Sequence, residues 1–260
     1  MPNHQIHLAD RDPRKVIKES AWEEYSRGLN LIWLELARLN TSLYILQCLI
    51  DFPEDIIGKG RGDFIEHVGN ALYESSLLVL SKLITDQGRD LHTLSQFMNL
   101  VLKEYVREEF RADFQASLRT CRLDKPNAAL KARVKILRDG FLVHLNSPRL
   151  LDPNGLPLPT VRFEELWKLT QAVNAQFRLV CFNSDYRLLP LDYDPVVRAA
   201  NRRGPPPDIE YILDLVMRDS FFVNMPERKP RAWKSRRKTM TPEKLEMLNR
   251  YRRRFDLPEV

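Results

Sequence analysis

Apolar residues recur at intervals of three and four along most of the chain, and nowhere do they alternate one for one over a sustained stretch. This pattern predicts helices. A first helix is expected to open at Asp12-Pro13, an acidic N-cap followed by proline at the first helical position. Its apolar positions run through Ile17, Trp22, Tyr25, Ile32, Leu36, Leu43 and Ile50, so one long helix is predicted to end near Pro53. A second is expected over 63–86, with Phe64, Val68, Leu72, Leu80 and Ile84 facing inward. Thr93 is expected to cap a third, carrying Leu94, Phe97, Val101, Tyr105 and Phe114. A fourth is expected from Pro126 through Val134, Leu137 and Phe141 to His144, stopping at Asn146-Ser147-Pro148. A fifth spans about 161–183, and Pro205-Pro206-Pro207 introduces a shorter one containing Ile209, Ile212, Leu213 and Leu215.

Proline divides the sequence. Only 4 of the 17 prolines precede residue 148, so helix breakers concentrate in the second half. The last 35 residues differ again. From Pro226 to Val260 there are 12 Lys+Arg against 5 Asp+Glu, whereas the preceding 225 residues carry 29 against 30. The formal net charge of +6 therefore resides in the C-terminal segment. Within it, Thr241-Pro242-Glu243 predicts the start of a short helix that ends at Arg252-Arg253-Arg254. The expected organisation is a helical bundle over 12–186, a proline-rich linker with a short helical extension over 187–225, and a basic C-terminal tail over 226–260.

Composition narrows the class further. Glycine numbers only 9 in 260 residues, too few for the many tight turns of sheets and barrels. The three cysteines, Cys48, Cys121 and Cys181, are odd in number and far apart, which argues for reduced thiols rather than disulfides or a zinc ribbon. No apolar run approaches the length of a membrane span, and Met1 to Lys15 lacks the apolar core of a signal peptide. The sequence thus points to a cytoplasmic protein without membrane contact.

There is no P-loop, HExxH, GxSxG or EF-hand pattern. The glycines at 58, 60 and 62 match no nucleotide fingerprint and read as an interhelix loop. Of five histidines, His4, His7, His67 and His92 have no second ligand at metal spacing, and no cofactor is expected. His144 stands six residues after Arg138. On a continuous helix that spacing turns side chains by about 240° and separates them by ~9 Å along the axis. The two converge only through a long reach, a relaxed last turn near Gly140, or a second copy of the chain.

An arginine with a polar neighbour, followed after a short apolar stretch by histidine, resembles the motif of HEPN domains; here the residues are Arg138, Asp139 and His144. The chain is similar in particular to the abortive-infection U-type (AbiU2-like) branch. Leu78 to Leu83, Leu91-His92-Thr93-Leu94 and Leu137 to Asn146 carry the likeness, which covers roughly 15–185. Gly140 stands where the family tends to have a basic residue, and Val143 where it tends to have alanine. The resemblance implies an all-α, antiparallel four-to-five-helix bundle. It also implies a metal-independent endoribonuclease acting as a homodimer, in a bacterial phage-defence or toxin-antitoxin setting with a neutralising protein partner.

On that reading His144 moves protons at the ribose 2′-hydroxyl or the leaving 5′-oxygen, and Arg138 binds the scissile phosphate. Asp139 holds Arg138 or orients the histidine, and Asn146 donates to phosphate or base. The basic tail offers Arg231, Lys234, Arg236, Arg237 and Lys238 to RNA phosphates, with Trp233 among them as a base-stacking ring. Two other readings remain open from sequence: a non-catalytic helical module that binds nucleic acid or a protein, and a structural oligomer in which Arg138 and His144 pack internally.

Overall fold

The computed structural model describes residues 11–50, 62–85, 93–120, 127–139, 160–183 and 223–260, with isolated positions at 209, 212, 213, 215 and 218. Among the described residues there is no strand beyond one isolated bridge, and the fold is an all-helical bundle. These residues fall into two compact units. One is drawn from Met1–Tyr44 and Ala71–Val197, the other from Ile45–Asn70 and Arg198–Val260.

The first unit contains α1 (Pro13–Val16), most of α2 (Trp22–Ile50) and α3 (Gly62–Thr85), α4 (Leu94–Leu100), α5 (Glu108–Thr120), α6 (Ala128–Leu137) and α7 (Phe163–Val180). Its core uses the three-and-four stripes read in the sequence on α2 and α7, whereas on α3 the buried stripe is Leu77, Leu80 and Leu83, and the expected Val68, Leu72 and Ile84 are only partly buried. Tyr25, Ile32, Leu36, Leu39 and Leu43 of α2 are buried, as are Leu77, Leu80 and Leu83 of α3 and Leu166, Leu169, Val173, Phe177 and Val180 of α7. Burial of one such stripe per helix is what stabilises helices of this length. Thr93 caps α4 as expected, in a reciprocal box with Gln96: the Gln96 N–H donates to Thr93 Oγ1 at 3.1 Å and the Thr93 N–H to Gln96 Oε1 at 3.0 Å.

Two predicted helices are broken, and both breaks belong to one contact. Asp12 does cap a helix, accepting from the Arg14 N–H at 3.0 Å, but α1 lasts a single turn. Ile17 is extended and bridges Val106, with the Lys18 N–H donating to the Tyr105 carbonyl at 2.9 Å and the Arg107 N–H to that of Val16 at 3.0 Å. On the other side, the predicted third helix widens into a π turn at Val101–Tyr105 and stops at Val106. Val16, Ile17 and Val106 are β-branched and fully or almost fully buried, which favours extended backbone there over continued helix.

Close approach of α2 and α4 depends on Gly28. A Cβ at that position would lie 2.5 Å from Cε2 of Phe97, a ring that is itself buried and stacked on Tyr25. Gly28→Ala is therefore expected to lower the thermal midpoint. The overpacking cost of about 1–3 kcal/mol exceeds the roughly 1 kcal/mol that alanine adds in helix propensity. An unchanged or higher midpoint in a melt would contradict that packing.

The second unit holds the C-terminal residues as α8 (Met225–Arg228), α9 (Pro230–Arg237) and α10 (Pro242–Arg254). Thr241 caps α10 by accepting from the Lys244 N–H, and the helix ends at Arg254, where the sequence placed it. A small apolar core joins Val223, Met225, Trp233 and Leu248, with Ile65 and Leu213 packed against it. Arg252 is wholly buried beside this core. Its guanidinium donates to the carbonyls of Val223 and Pro258 and to the Glu227 carboxylate.

Candidate active site

Helix α6 presents Arg138, and its own phase is fixed by two anchors. Val134 is fully buried, and Arg133 reaches across to the first turn of α7. There its Nη2 donates to Glu165 Oε1 at 2.6 Å, while Nη1 donates to Glu165 Oε2 at 3.2 Å and to the Thr160 carbonyl at 2.9 Å. Glu165 also accepts from the Arg162 N–H at 2.9 Å. These bonds, Arg133's first and then the backbone N–H, pull the Glu165 carboxyl down from 4.5 to about 2. A carboxyl whose folded value is depressed stabilises the fold fully above its unfolded value, and that contribution is lost as pH falls through the folded one. Glu165→Gln is accordingly expected to melt earlier than wild type at neutral pH, with the gap closing between about pH 4.5 and pH 2 in melts across that range. A gap independent of pH would contradict the assignment.

Beyond Leu137 the helix opens into a π turn at Arg138 and Asp139. Such turns are rare and recur at functional sites. Arg138 Nε donates to Asp139 Oδ1 at 2.6 Å, so the carboxylate grips the guanidinium side-on. The Arg138 side chain is 17% exposed and Asp139 46%, which places the charged pair at a surface rather than in the core.

That surface is a groove of about 890 Å³ in the first unit. Arg138 and Asp139 form one part of its lining, α2 supplies Glu35, Arg38 and Thr41, and α3 supplies Ser75 and Lys82. Glu35 Oε1 lies 3.8 Å from Arg38 and 3.7 Å from Lys82, spacing the two cations apart. Three cations against two carboxylates, with the hydroxyls of Thr41 and Ser75 in the same lining, suit a phosphate-bearing ligand. Among the described residues no group of three His, Cys, Asp or Glu side chains is placed to hold a metal ion.

Residues 23–181 match the family model described as AbiU2, of HEPN type. The chain belongs to the AbiU2 family of HEPN domains. No curated protein and no solved structure matches it. No helix among the described residues is long and apolar enough to cross a membrane.

Within this AbiU2-family chain the expected site residues are placed as follows. Arg138 and Asp139 are hydrogen-bonded to each other. His144 and Asn146 lie outside the described residues, as do Gly140, Cys121, His92 and the glycines at 58 and 60. In the second unit Arg231, Lys234, Arg236, Arg237 and Lys238 are exposed on and just after α9, with no acidic residue among them. Trp233 differs from expectation. It is buried with Val223, Met225 and Leu248, so its ring fills a core and is not presented for stacking on a base. Glu35, Arg38 and Lys82 were missed by the sequence reading. Lys82 did fall inside the Leu78 to Leu83 stretch, and Glu35 and Arg38 carry the i,i+3 spacing of a helical ion pair, but nothing local says that three helices bring them together.

Proposed function

We propose that this AbiU2-family chain is a metal-independent endoribonuclease acting as a homodimer, in a bacterial phage-defence or toxin-antitoxin setting. The observation that carries the reading is Arg138, held by Asp139 on the wall of an open groove that also contains Arg38 and Lys82. A guanidinium there binds a scissile phosphate and stabilises the charge that develops on it. His144, six residues on, supplies proton transfer near neutral pH, first from the 2′-hydroxyl and then to the leaving 5′-oxygen. Cleavage by an internal 2′-hydroxyl leaves a 2′,3′-cyclic phosphate.

Exposed large apolar residues support a second copy at this face. Leu34 of α2 lines the groove and is 43% exposed, and Leu31, one turn before it on the same helix face, is 57% exposed. The basic residues on α9 and Lys238 add phosphate contacts that weaken steeply with salt. The protein acts in the cytoplasm, where a neutralising protein partner would restrain it.

The test is incubation of the full chain with total cellular RNA in EDTA, with the product ends mapped. Cutting that leaves 2′,3′-cyclic phosphates is the expected result. RNA bound but left whole would overturn the nuclease reading in favour of a non-catalytic binding module.

A further inference from the structure

A second cavity of about 380 Å³ lies in the first unit, apart from Arg138 and Asp139. It is lined by the rings of Trp22, Tyr25, Trp33 and Phe177, with the Ser26 hydroxyl and the Asn30 amide beside them. Its size and make-up, several rings and a few polar groups, are those of a site for a flat ligand with a hydrogen-bonding edge. Tyr25 is committed to the fold, its hydroxyl donating to the Val180 carbonyl at 2.9 Å, so it contributes its ring alone. Trp22 and Trp33 are only half-buried, and Asn30 is exposed.

This cavity and the groove share one residue, Trp33. The sharing follows from helix geometry. Trp22, Ser26, Leu29, Trp33 and Ala37 are spaced four, three, four and four along α2, which sets them on one stripe. The stripe begins in the aromatic cavity and ends among Arg38 and Thr41 of the groove. Leu29 to Arg38 is nine residues, or about 13 Å of helix, a gap that a short oligonucleotide spans. Cations stand at both ends: Arg14 holds its guanidinium 4.6 Å from the centre of the Trp22 ring, and Arg38, Lys82 and Arg138 occupy the groove.

The geometry points to a base-binding subsite: the cavity receives one unstacked base of a single-stranded RNA whose backbone runs along α2 into the Arg138 groove. The inference rests on the nuclease reading for the identity of the strand. Aromatic rings accept any base by stacking, and an asparagine amide, with a donor and an acceptor side by side, discriminates between base edges. An aliphatic ligand or an apolar peptide side chain would fill the cavity but would give no reason for the cations at both ends of the stripe.

The experiment measures binding of fluorescent 2′-O-methyl hexamers of adenosine and of uridine, beside an abasic hexamer with the same backbone, to the full chain. The 2′-O-methyl group blocks cleavage, so affinity is read independently of nuclease activity. Wild type is expected to bind the base-bearing hexamers about 5- to 100-fold more tightly than the abasic one, the range one stacked base confers. Trp22→Ala removes most of that difference, and Trp22→Phe restores it. Asn30→Asp, at an exposed position that leaves the core untouched, alters the adenosine-to-uridine ratio. Equal binding of abasic and base-bearing hexamers by wild type overturns the subsite, as does wild-type discrimination in both Trp22→Ala and Asn30→Asp, or no binding of any hexamer. Retained base discrimination in a protein that cuts no RNA would sink the nuclease reading alone.

Discussion

Arg138→Ala is expected to slow single-turnover RNA cleavage by about 10²- to 10³-fold, the scale for removing one group that stabilises transition-state charge. The thermal midpoint should barely move, because the Arg138–Asp139 pair sits at the groove surface and not in the core. Arg138→Lys separates charge from shape. An ammonium keeps the positive charge but loses the planar fork that bonds two phosphate oxygens at once. Lysine should therefore recover RNA binding more than it recovers rate. Asp139→Asn should cost less than either, since the guanidinium remains while its Nε loses a charged partner. Equal cleavage by wild type and Arg138→Ala would remove this arginine from the chemistry and leave the groove as a binding surface.

The second large effect concerns stability of the C-terminal unit. Arg252→Ala is expected to destabilise it by about 3–5 kcal/mol, the cost of breaking a buried ionic contact. Arg252 is fully buried, while Glu227 is half-exposed, so the two sides of the pair are unequal. Removing the arginine leaves the Val223 and Pro258 carbonyls without their donor and opens a cavity beside Leu248. Glu227→Ala should cost less, because solvent already reaches that carboxylate. Hydrogen exchange over 223–260 reports the difference directly. Protection in that segment should collapse in Arg252→Ala and fall only partly in Glu227→Ala. Wild-type protection in Arg252→Ala would show that the guanidinium does not hold the unit together.

What the sequence revealed, and what it hid, follows from the range of each interaction. Caps are local, and Asp12-Pro13, Thr93 and Thr241-Pro242 each mark a helix start that the structure contains. Core stripes are also local, and those on α2 and α7 are largely buried as their spacing predicted, with Ile50 at the end of α2 the exception at 53% exposed. The junction of Ile17 with Val106 joins positions some 90 residues apart, and apolar periodicity runs straight through both. That is why two long helices were expected where the chain is broken. Trp233 misled for the opposite reason. In a run dominated by basic residues it read as a base-stacking ring, whereas a core assembled from α8, α9 and α10 encloses it. The sequence singled out Arg138, Asp139 and His144 as the candidate site, and the first two of these lie among the described residues. The groove was not legible, because Arg38 and Lys82 come from helices whose meeting is a property of the tertiary fold.

The decisive measurement is a matched cleavage assay on His144. Wild type and His144→Ala, shown by circular dichroism to be equally helical, are incubated with the same RNA in EDTA. The expected result is cutting by wild type alone, with 2′,3′-cyclic phosphate ends. Equal cutting by both proteins would contradict it, and so would cutting that leaves 3′-hydroxyl ends.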